Sequence, residues 1–459
     1  MEYANKKVAV IGLGISNTPL IRYLVRQGAD VSVFDKKQAA ELANYLSQLT
    51  ELRLTYCLGP DYLSQLNHFD YIFVTPGMKK NLPEFIRAKE DGAVFSSEME
   101  LFLRKCPGRT IGITGSSGKT TTTTLSGLMV KHDFPDTYVG GNIGCSLLDS
   151  LPEMTADSRV ILELSSFQLQ ELTQSPDLAL ITNITPNHLD MHASMAEYIA
   201  AKANILRFQT ADSIAILNYD NEITRDLASS VKGQLFFFSR RKLLDEGAFL
   251  DGQELVVRLN NQSEVIATRD QLRLLGDHNV ENILAAALIS ALQGVSPTTI
   301  AKVAREFTGV EHRLELVREL KGILYYNDSI STTPDRAIAG LNAMTAPTIL
   351  IAGGYDKHLP FDRFAKIVTE HCKQLILLGV TAPLIQSEVK KVAPDFPIQK
   401  VNSLEEAVQL AANIAVSGDV VLLSPACASY DMFNNYQDRG RLFKKLVNEL
   451  VDTDSTVTG

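Results

Sequence analysis

With 459 residues, 45% apolar and 21% charged, the chain is too long for one ordinary core and implies two to four globular domains. A net charge of −9 argues against a nucleic-acid binder, while small anions stay within reach of backbone amides and single lysines. No apolar run approaches the ~20 residues that cross a bilayer, so no membrane insertion is expected.

The opening MEYANKKVAVIGLG lacks the basic, apolar and small-residue succession of a secretory signal. The five cysteines (Cys57, Cys106, Cys145, Cys372 and Cys427) form no C-x-x-C pair. Both observations predict a cytoplasmic protein with reduced thiols. Short apolar strands, glycine or polar turns and helical patterns then alternate through three blocks. That grammar predicts an α/β protein of three domains, at 1–97, 98–308 and 309–459. The expected architecture is a Rossmann-like N-terminal domain, a central P-loop ATPase-type domain with a parallel sheet, and a Rossmann-like C-terminal domain.

In the first block KVAVIGLG (7–14), DVSVFD (30–35) and DYIFVTPG (70–77) read as strands. Gly12-Leu13-Gly14-Ile15-Ser16-Asn17 follows a strand and opens a helix, as a dinucleotide fingerprint does, but Asn17 stands where the third glycine belongs. Asp35 ends the second strand, where a ribose hydroxyl can be met. A phosphate or nucleotide site, a nicotinamide-linked redox site and a tight turn without a ligand all remain open, with Asn17 disfavouring the redox reading. Thr75-Pro76-Gly77 either lines the same crevice or makes a turn.

The second block carries a stronger pattern. Gly115-Ser116-Ser117-Gly118-Lys119-Thr120 comes straight off the strand TIGIT and runs into a helix. The spacing G-x-x-x-x-G-K-[ST] fails, because the position six before Lys119 is Ile113. Consecutive N–H groups and the helix N-terminus still suit a triphosphate, with Lys119 reaching its β and γ phosphates. Thr120 offers a hydroxyl to Mg²⁺ and Thr121 one to phosphate; Thr122 to Thr124 receive no role. Glu163 ends the strand VILE and either holds magnesium or caps a neighbouring helix. His188, in NITPNHLDMH, is either a metal ligand with Asp190 as its orienting group or an ordinary loop histidine. Lys202 sits in the helical stretch YIAAKAN and, on these residues alone, reads as a solvated lysine. In the third block, loops at Asn327, Lys357 and Ser429 follow strand ends, where open α/β sheets bind ligands.

GITGSSGKTT, the strand-terminal Glu163 in ELSSFQL, NITPNHLD and AAKANI together resemble the Mur ligases, which extend the peptide of the bacterial cell-wall precursor. DHNVEN (277–282), EHR (311–313) and NDS (327–329) are similar to that family's adenine, phosphate and ribose contacts, so the resemblance spans all three blocks. GLGIS, TPG, GGNIG (140–144) and SPACASYDMF (424–433) resemble the branch that joins D-glutamate to UDP-N-acetylmuramoyl-L-alanine. The D-N-P-R signature of the diamino-acid branch is missing.

The resemblance implies ATP and two Mg²⁺ ions, with Lys119 on the phosphates, Thr120 and Glu163 on one magnesium and His188 on the second. Lys202 matches a carbamoylated lysine, whose carbamate offers magnesium two anionic oxygens where an ammonium repels it. Asn142 falls near the reacting carboxylate, Asn279 at adenine, Arg313 at the γ-phosphate and Asp328 at ribose. Lys357, Ser429 and Tyr436 match the D-glutamate site, and Ile15, Ser16, Asp35 and Lys36 the uridine region. Two positions depart from the pattern: Ile330 where a lysine is frequent, and Tyr436 where phenylalanine is frequent. The implied activity is a two-step amide ligation through an acyl phosphate, catalysed by a monomer that closes on its ligands. A Mur-type ligase for another amino acid, or a regulatory P-loop ATPase, is the alternative; the ATPase leaves the first and third blocks unexplained.

Overall fold

The computed structural model describes residues 2–78, 81–144, 146–186, 192, 194–274, 276–357 and 359–451. It divides into two compact units, Met1–Phe307 and Thr308–Gly459. The first unit holds two sheets and the second holds one.

The N-terminal sheet contains β1 (Lys7–Ile11), β2 (Asp30–Asp35), β3 (Thr55–Leu58), β4 (Tyr71–Val74) and β5 (Val94–Ser96). All pairings are parallel, in the order β3-β2-β1-β4-β5. Val8, Ala9 and Val10 are buried in succession, as are Ile72, Phe73 and Val74, because helices cover both faces of a parallel sheet. The strand order reverses between β1 and β4, which places the Gly12–Gly14 turn at a topological switch point.

The central sheet has nine strands: β6 (Arg109–Thr114), β7 (Thr137–Gly141), β8 (Arg159–Glu163), β9 (Leu178–Ile181), β10 (Ile214–Asn218), β11 (Gln234–Ser239), β12 (Gly247–Asp251), β13 (Glu254–Leu259) and β14 (Gln262–Thr268). Their order is β14-β13-β12-β11-β10-β9-β6-β8-β7. It is parallel from β7 to β12, as the alternation predicts, and then adds an antiparallel end, β12-β13-β14, that the alternation does not. The cause is local. Asn260 and Asn261 both adopt positive φ, 51° and 61°, in a two-residue hairpin loop of the type that twisted strands prefer.

Side-chain contacts among the described residues tie the two layers of this unit together. Arg22 pairs with Asp149 at 2.5 Å, the Ser146 hydroxyl donates to the buried Glu98 at 2.5 Å, and the Thr173 amide donates to Glu100 at 2.9 Å.

In the second unit β15 (Glu315–Leu320), β16 (Ile323–Asn327), β17 (Thr348–Ala352), β18 (Cys372–Leu377), β19 (Ile398–Lys400) and β20 (Val420–Leu423) order as β15-β16-β20-β17-β18-β19. Only β15 runs antiparallel, returned by Lys321 and Gly322 at φ 54° and 73°. Among the described residues no helix is long and apolar enough to cross a membrane.

Candidate active site

A cavity of about 520 Å³ opens beyond the ends of β1, β2 and β4, lined by Gly12, Ile15, Ser16, Asp35, Lys36 and Thr75 among others. The sequence-predicted uridine residues therefore share one wall. Asp35 is buried, and its carboxylate accepts the Leu13 amide at 2.7 Å and the Lys37 amide at 2.9 Å, which pins the glycine turn against β2. Asn17 explains the missing fingerprint glycine. Its buried side-chain amide donates to the carbonyls of Gly12 at 2.7 Å and Ile11 at 3.2 Å, clamping the turn from the helix side. Asn17→Gly, which restores the fingerprint, is expected to cost about 2 kcal/mol of stability through the lost bonds and the added backbone freedom. An unchanged urea midpoint would contradict this.

The phosphate loop leaves β6 and enters the helix Lys119–Asp133. Gly115 (φ +153°) and Gly118 (φ +80°) are needed there, since a Cβ would stand 1.8 Å from the Thr182 hydroxyl and 2.2 Å from Asn282 Oδ1. The Ser116 amide donates to the Asn183 carbonyl at 2.8 Å and the Ser117 amide to Asn183 Oδ1 at 3.1 Å. The neighbouring loop thus already holds these two amides, and the helix's first turn supplies the donors aimed along its axis. The Lys119 ammonium folds back onto the Gly115 carbonyl at 2.9 Å. Thr120 is buried and Thr121 half-buried. Thr122 acquires a role absent from its sequence reading, because its hydroxyl faces Asn282 Oδ1 at 3.4 Å.

Glu163 ends β8 beside this loop and is 2% exposed. The short helix after it is capped by Ser165 and Gln168, so capping is not the task of Glu163. Oε1 accepts the Asn142 side-chain amide at 2.7 Å, and the Asn142 backbone amide donates to the Glu163 carbonyl at 2.8 Å. Among the described residues, Oε2 is buried without a hydrogen-bond partner. An orphaned carboxylate oxygen in the interior is costly unless a cation meets it, so this position fits a metal ion.

Lys202, on the helix Met195–Arg207, is 1% exposed, which removes the solvated reading. Its amine donates to the Gly115 carbonyl at 2.8 Å and lies 4.8 Å from the centre of the Tyr198 ring. Burial, reinforced by the Lys119 charge and opposed by Glu163, lowers its pKa to about 7. His188 and Asp190 lie outside the described residues.

A second cavity, about 470 Å³, adjoins the phosphate loop and is lined by Ser117, Gly118, Asn183, Phe238, His278 and Asn282 among others. Asn279 is buried on the same helix as Asn282, and the Asn282 side-chain amide donates to its Oδ1 at 3.1 Å. Asn282 and Asn183 therefore carry more of the loop's geometry than their sequence positions suggest. Two polar residues directly after β9, beside the β6 loop, were the available sign for Thr182 and Asn183.

In the Thr308–Gly459 unit, Asp328 is buried, with its carboxylate accepting Ser331 at 2.5 Å, Ser424 at 2.8 Å and the Leu314 amide at 3.2 Å. Burial outweighs these bonds and pushes its pKa up to about 6. Arg313 has an exposed side chain, and its amide donates to the Val310 carbonyl at 3.0 Å. Lys357 donates to the Thr332 hydroxyl at 3.3 Å, a partner the sequence pattern did not single out. Partial desolvation and the nearby Arg336 and Arg439 charges lower its pKa. Ser429 is buried, and the Tyr436 ring meets His312 edge-on at 6.0 Å. At the departing position Ile330, the carbonyl is approached by the Arg336 guanidinium at 3.5 Å.

A phosphate loop on a mainly parallel central sheet, preceded and followed in the chain by two further α/β sheets, defines a three-domain nucleotide-dependent enzyme. Family models match along the chain: a Mur ligase MurD-like N-terminal domain at 6–96, a Mur ligase middle domain at 113–290 and a Mur ligase glutamate ligase domain at 312–427. The chain belongs to the Mur ligase family. It is 48% identical over 97% of both chains to the UDP-N-acetylmuramoylalanine--D-glutamate ligase of Acetivibrio thermocellus. Identity is 46%, again over 97% of both, to the ligase of the same name from Clostridium novyi. Among solved structures, UDP-N-acetylmuramate-alanine ligase MurC from Thermotoga maritima shares the fold with TM-score 0.56 and 21% identity, covering 97% of this chain and 99% of that one. MurF from Acinetobacter baumannii does so with TM-score 0.53 and 16% identity, covering 84% of this chain and 92% of that one.

Proposed function

We propose that this chain is an ATP-dependent ligase that adds D-glutamate to UDP-N-acetylmuramoyl-L-alanine during assembly of the peptidoglycan precursor, acting in the cytoplasm as a monomer. The observation that carries the reading is the end-to-end match to relatives named for that reaction, 48% identical over 97% of the chain in the Acetivibrio case. In this reading residues 1–97 hold the UDP-sugar, 98–308 hold ATP and 309–459 hold D-glutamate.

One oxygen of the alanyl carboxylate attacks the γ-phosphorus, the bond to ADP breaks, and an acyl phosphate forms. The amine of D-glutamate then bonds to the acyl carbon, releases a proton, and expels phosphate together with that oxygen. Lys119, the first-turn amides of its helix and Arg313 meet charge on the phosphates. Thr120 and Glu163 would hold one Mg²⁺, and His188 with carbamoylated Lys202 a second. The ions supply cationic charge between a carboxylate and a phosphate that otherwise repel each other. The orphaned Glu163 Oε2 and the low-pKa amine of Lys202 support these assignments, because carbamoylation consumes a neutral amine. Asn142, bonded to Glu163, would meet the reacting carboxylate. Asn279 meets adenine and Asp328 ribose, the latter both directly and by ordering Ser331 and Ser424. Ile15, Ser16, Asp35 and Lys36 surround uridine, and Lys357, Ser429 and Tyr436 surround glutamate.

Incubation with ATP and UDP-N-acetylmuramoyl-L-alanine is expected to release ADP and give an amide product with D-glutamate. L-glutamate or a diamino acid in its place should give neither. Equal turnover with a diamino acid would reassign the amino-acid specificity, and ATP hydrolysis without any amide product would overturn the ligase reading.

A further inference from the structure

Arg439 is a charged side chain with only 2% of its surface exposed, and no carboxylate among the described residues pairs with it. Among the described residues, all its hydrogen bonds go to uncharged acceptors. Nε donates to the Ser329 hydroxyl at 3.0 Å, and Nη2 to the carbonyls of Ser329 at 2.9 Å and Cys427 at 3.2 Å. Nη1 reaches the carbonyls of Cys427 at 3.2 Å and Ala428 at 3.3 Å. Burial lowers its pKa only to about 10, so the group stays cationic at neutral pH. Burying an unpaired cation is expensive, and a fold that needed only a spacer here would use an apolar side chain.

The acceptors show what the charge is for. Ser329 follows β16, while Cys427 and Ala428 follow β20, so one guanidinium ties two neighbouring strand ends at the ligand-facing edge of the sheet. Gly354, after β17, packs on the same group, since a Cβ there would lie 3.3 Å from Nη1. In a trans peptide the carbonyl and the next N–H point opposite ways. Turning the Cys427 and Ala428 carbonyls onto Arg439 therefore turns the Ala428 and Ser429 amides away from it. Ala428 is bridged to Tyr355, whose amide donates to the Ala428 carbonyl at 2.9 Å, so the Ser429 amide is the donor that this turn presents. Ala426, at φ +59°, holds the uncommon backbone angle that starts this turn. An outward Ser429 amide backed by a buried cation makes a corner suited to a carboxylate.

We propose that Arg439 is the positioning residue of the amino-acid pocket: it fixes the Ser329 and Cys427–Ser429 loops so that Lys357 and the hydroxyl and amide of Ser429 meet a carboxylate of the incoming amino acid. The inference rests on the D-glutamate reading above. Arg439→Lys keeps the charge but not the forked donor set. Arg439→Met removes both. Each is expected to raise KM for D-glutamate, on the order of 10-fold for lysine and more for methionine, while KM for ATP and for the UDP-sugar substrate stays within about 2-fold. Thermal melts establish that each variant is folded. Ser329→Ala, which deletes the Nε acceptor with little change in volume, decides the question if both arginine variants misfold, through a smaller rise confined to D-glutamate. An unchanged KM for D-glutamate in the folded variants, or a parallel rise for all three substrates, overturns the proposal. Wild-type protein that forms no amide from D-glutamate overturns the underlying reading instead.

Discussion

Lys202→Ala is expected to lower the ligation rate by at least about 100-fold, the scale on which removing a fixed electrostatic group from a transition state is felt. The lysine is buried against the phosphate loop, its amine 2.8 Å from the Gly115 carbonyl, so alanine leaves a hole beside the phosphate-binding backbone. Short carboxylic acids would fill that hole and supply the two oxygens of the proposed carbamate, and partial rescue by acetate or formate is the expected signature. With a pKa of about 7, the amine is largely neutral above neutrality and largely cationic below it. Wild-type activity at limiting bicarbonate should therefore climb as pH rises through about 7, and the alanine variant should lack that limb. The folding linkage has the same direction. Between about 7 and the ordinary lysine value of 10.5, the unfolded chain binds a proton that the folded chain does not, so Lys202 makes stability rise with pH across that window. A fully active Lys202→Ala would contradict the assignment, as would a variant that no carboxylic acid rescues.

Glu163→Gln should be nearly as damaging, with a rate loss of about 100-fold and a higher Mg²⁺ concentration at half-maximal activity. The substitution preserves volume and leaves an oxygen to accept from Asn142, which now bonds to Oε1 at 2.7 Å. It replaces the orphaned Oε2 or its equivalent with an amide that no cation would choose. The variant protein is expected to melt at least as high as wild type when no nucleotide or metal is present, because a buried unpaired charge has been removed. Retained rate at unchanged Mg²⁺ demand would show that Glu163 does not hold the metal.

Central strands such as Lys7–Ile11, Arg109–Thr114 and Arg159–Glu163 were legible as apolar runs ending in glycine or polar residues, whereas β7, whose end leads to Asn142, was not, because Thr137-Tyr138-Val139-Gly140-Gly141 has too few apolar residues. The hairpins were not. Asn260-Asn261 and Lys321-Gly322 turn by positive φ, yet they sit between strands whose exposed faces dilute the apolar pattern. At the site, Gly115 to Thr120 and Glu163 could be read because strand, loop and helix follow one another in the chain. Lys202 could not be read as buried, since a lone lysine on a helix betrays its environment only when the phosphate loop packs over it. Asn282 and Thr332 lie far in sequence from Gly118 and Lys357, the groups they approach, so only folding brings them together.

Ligation through an acyl phosphate leaves a mark on one oxygen. UDP-N-acetylmuramoyl-L-alanine labelled with ¹⁸O in its alanyl carboxylate, incubated with ATP and D-glutamate, should release phosphate carrying one labelled oxygen for each amide formed. Unlabelled phosphate alongside amide product would rule out the acyl phosphate.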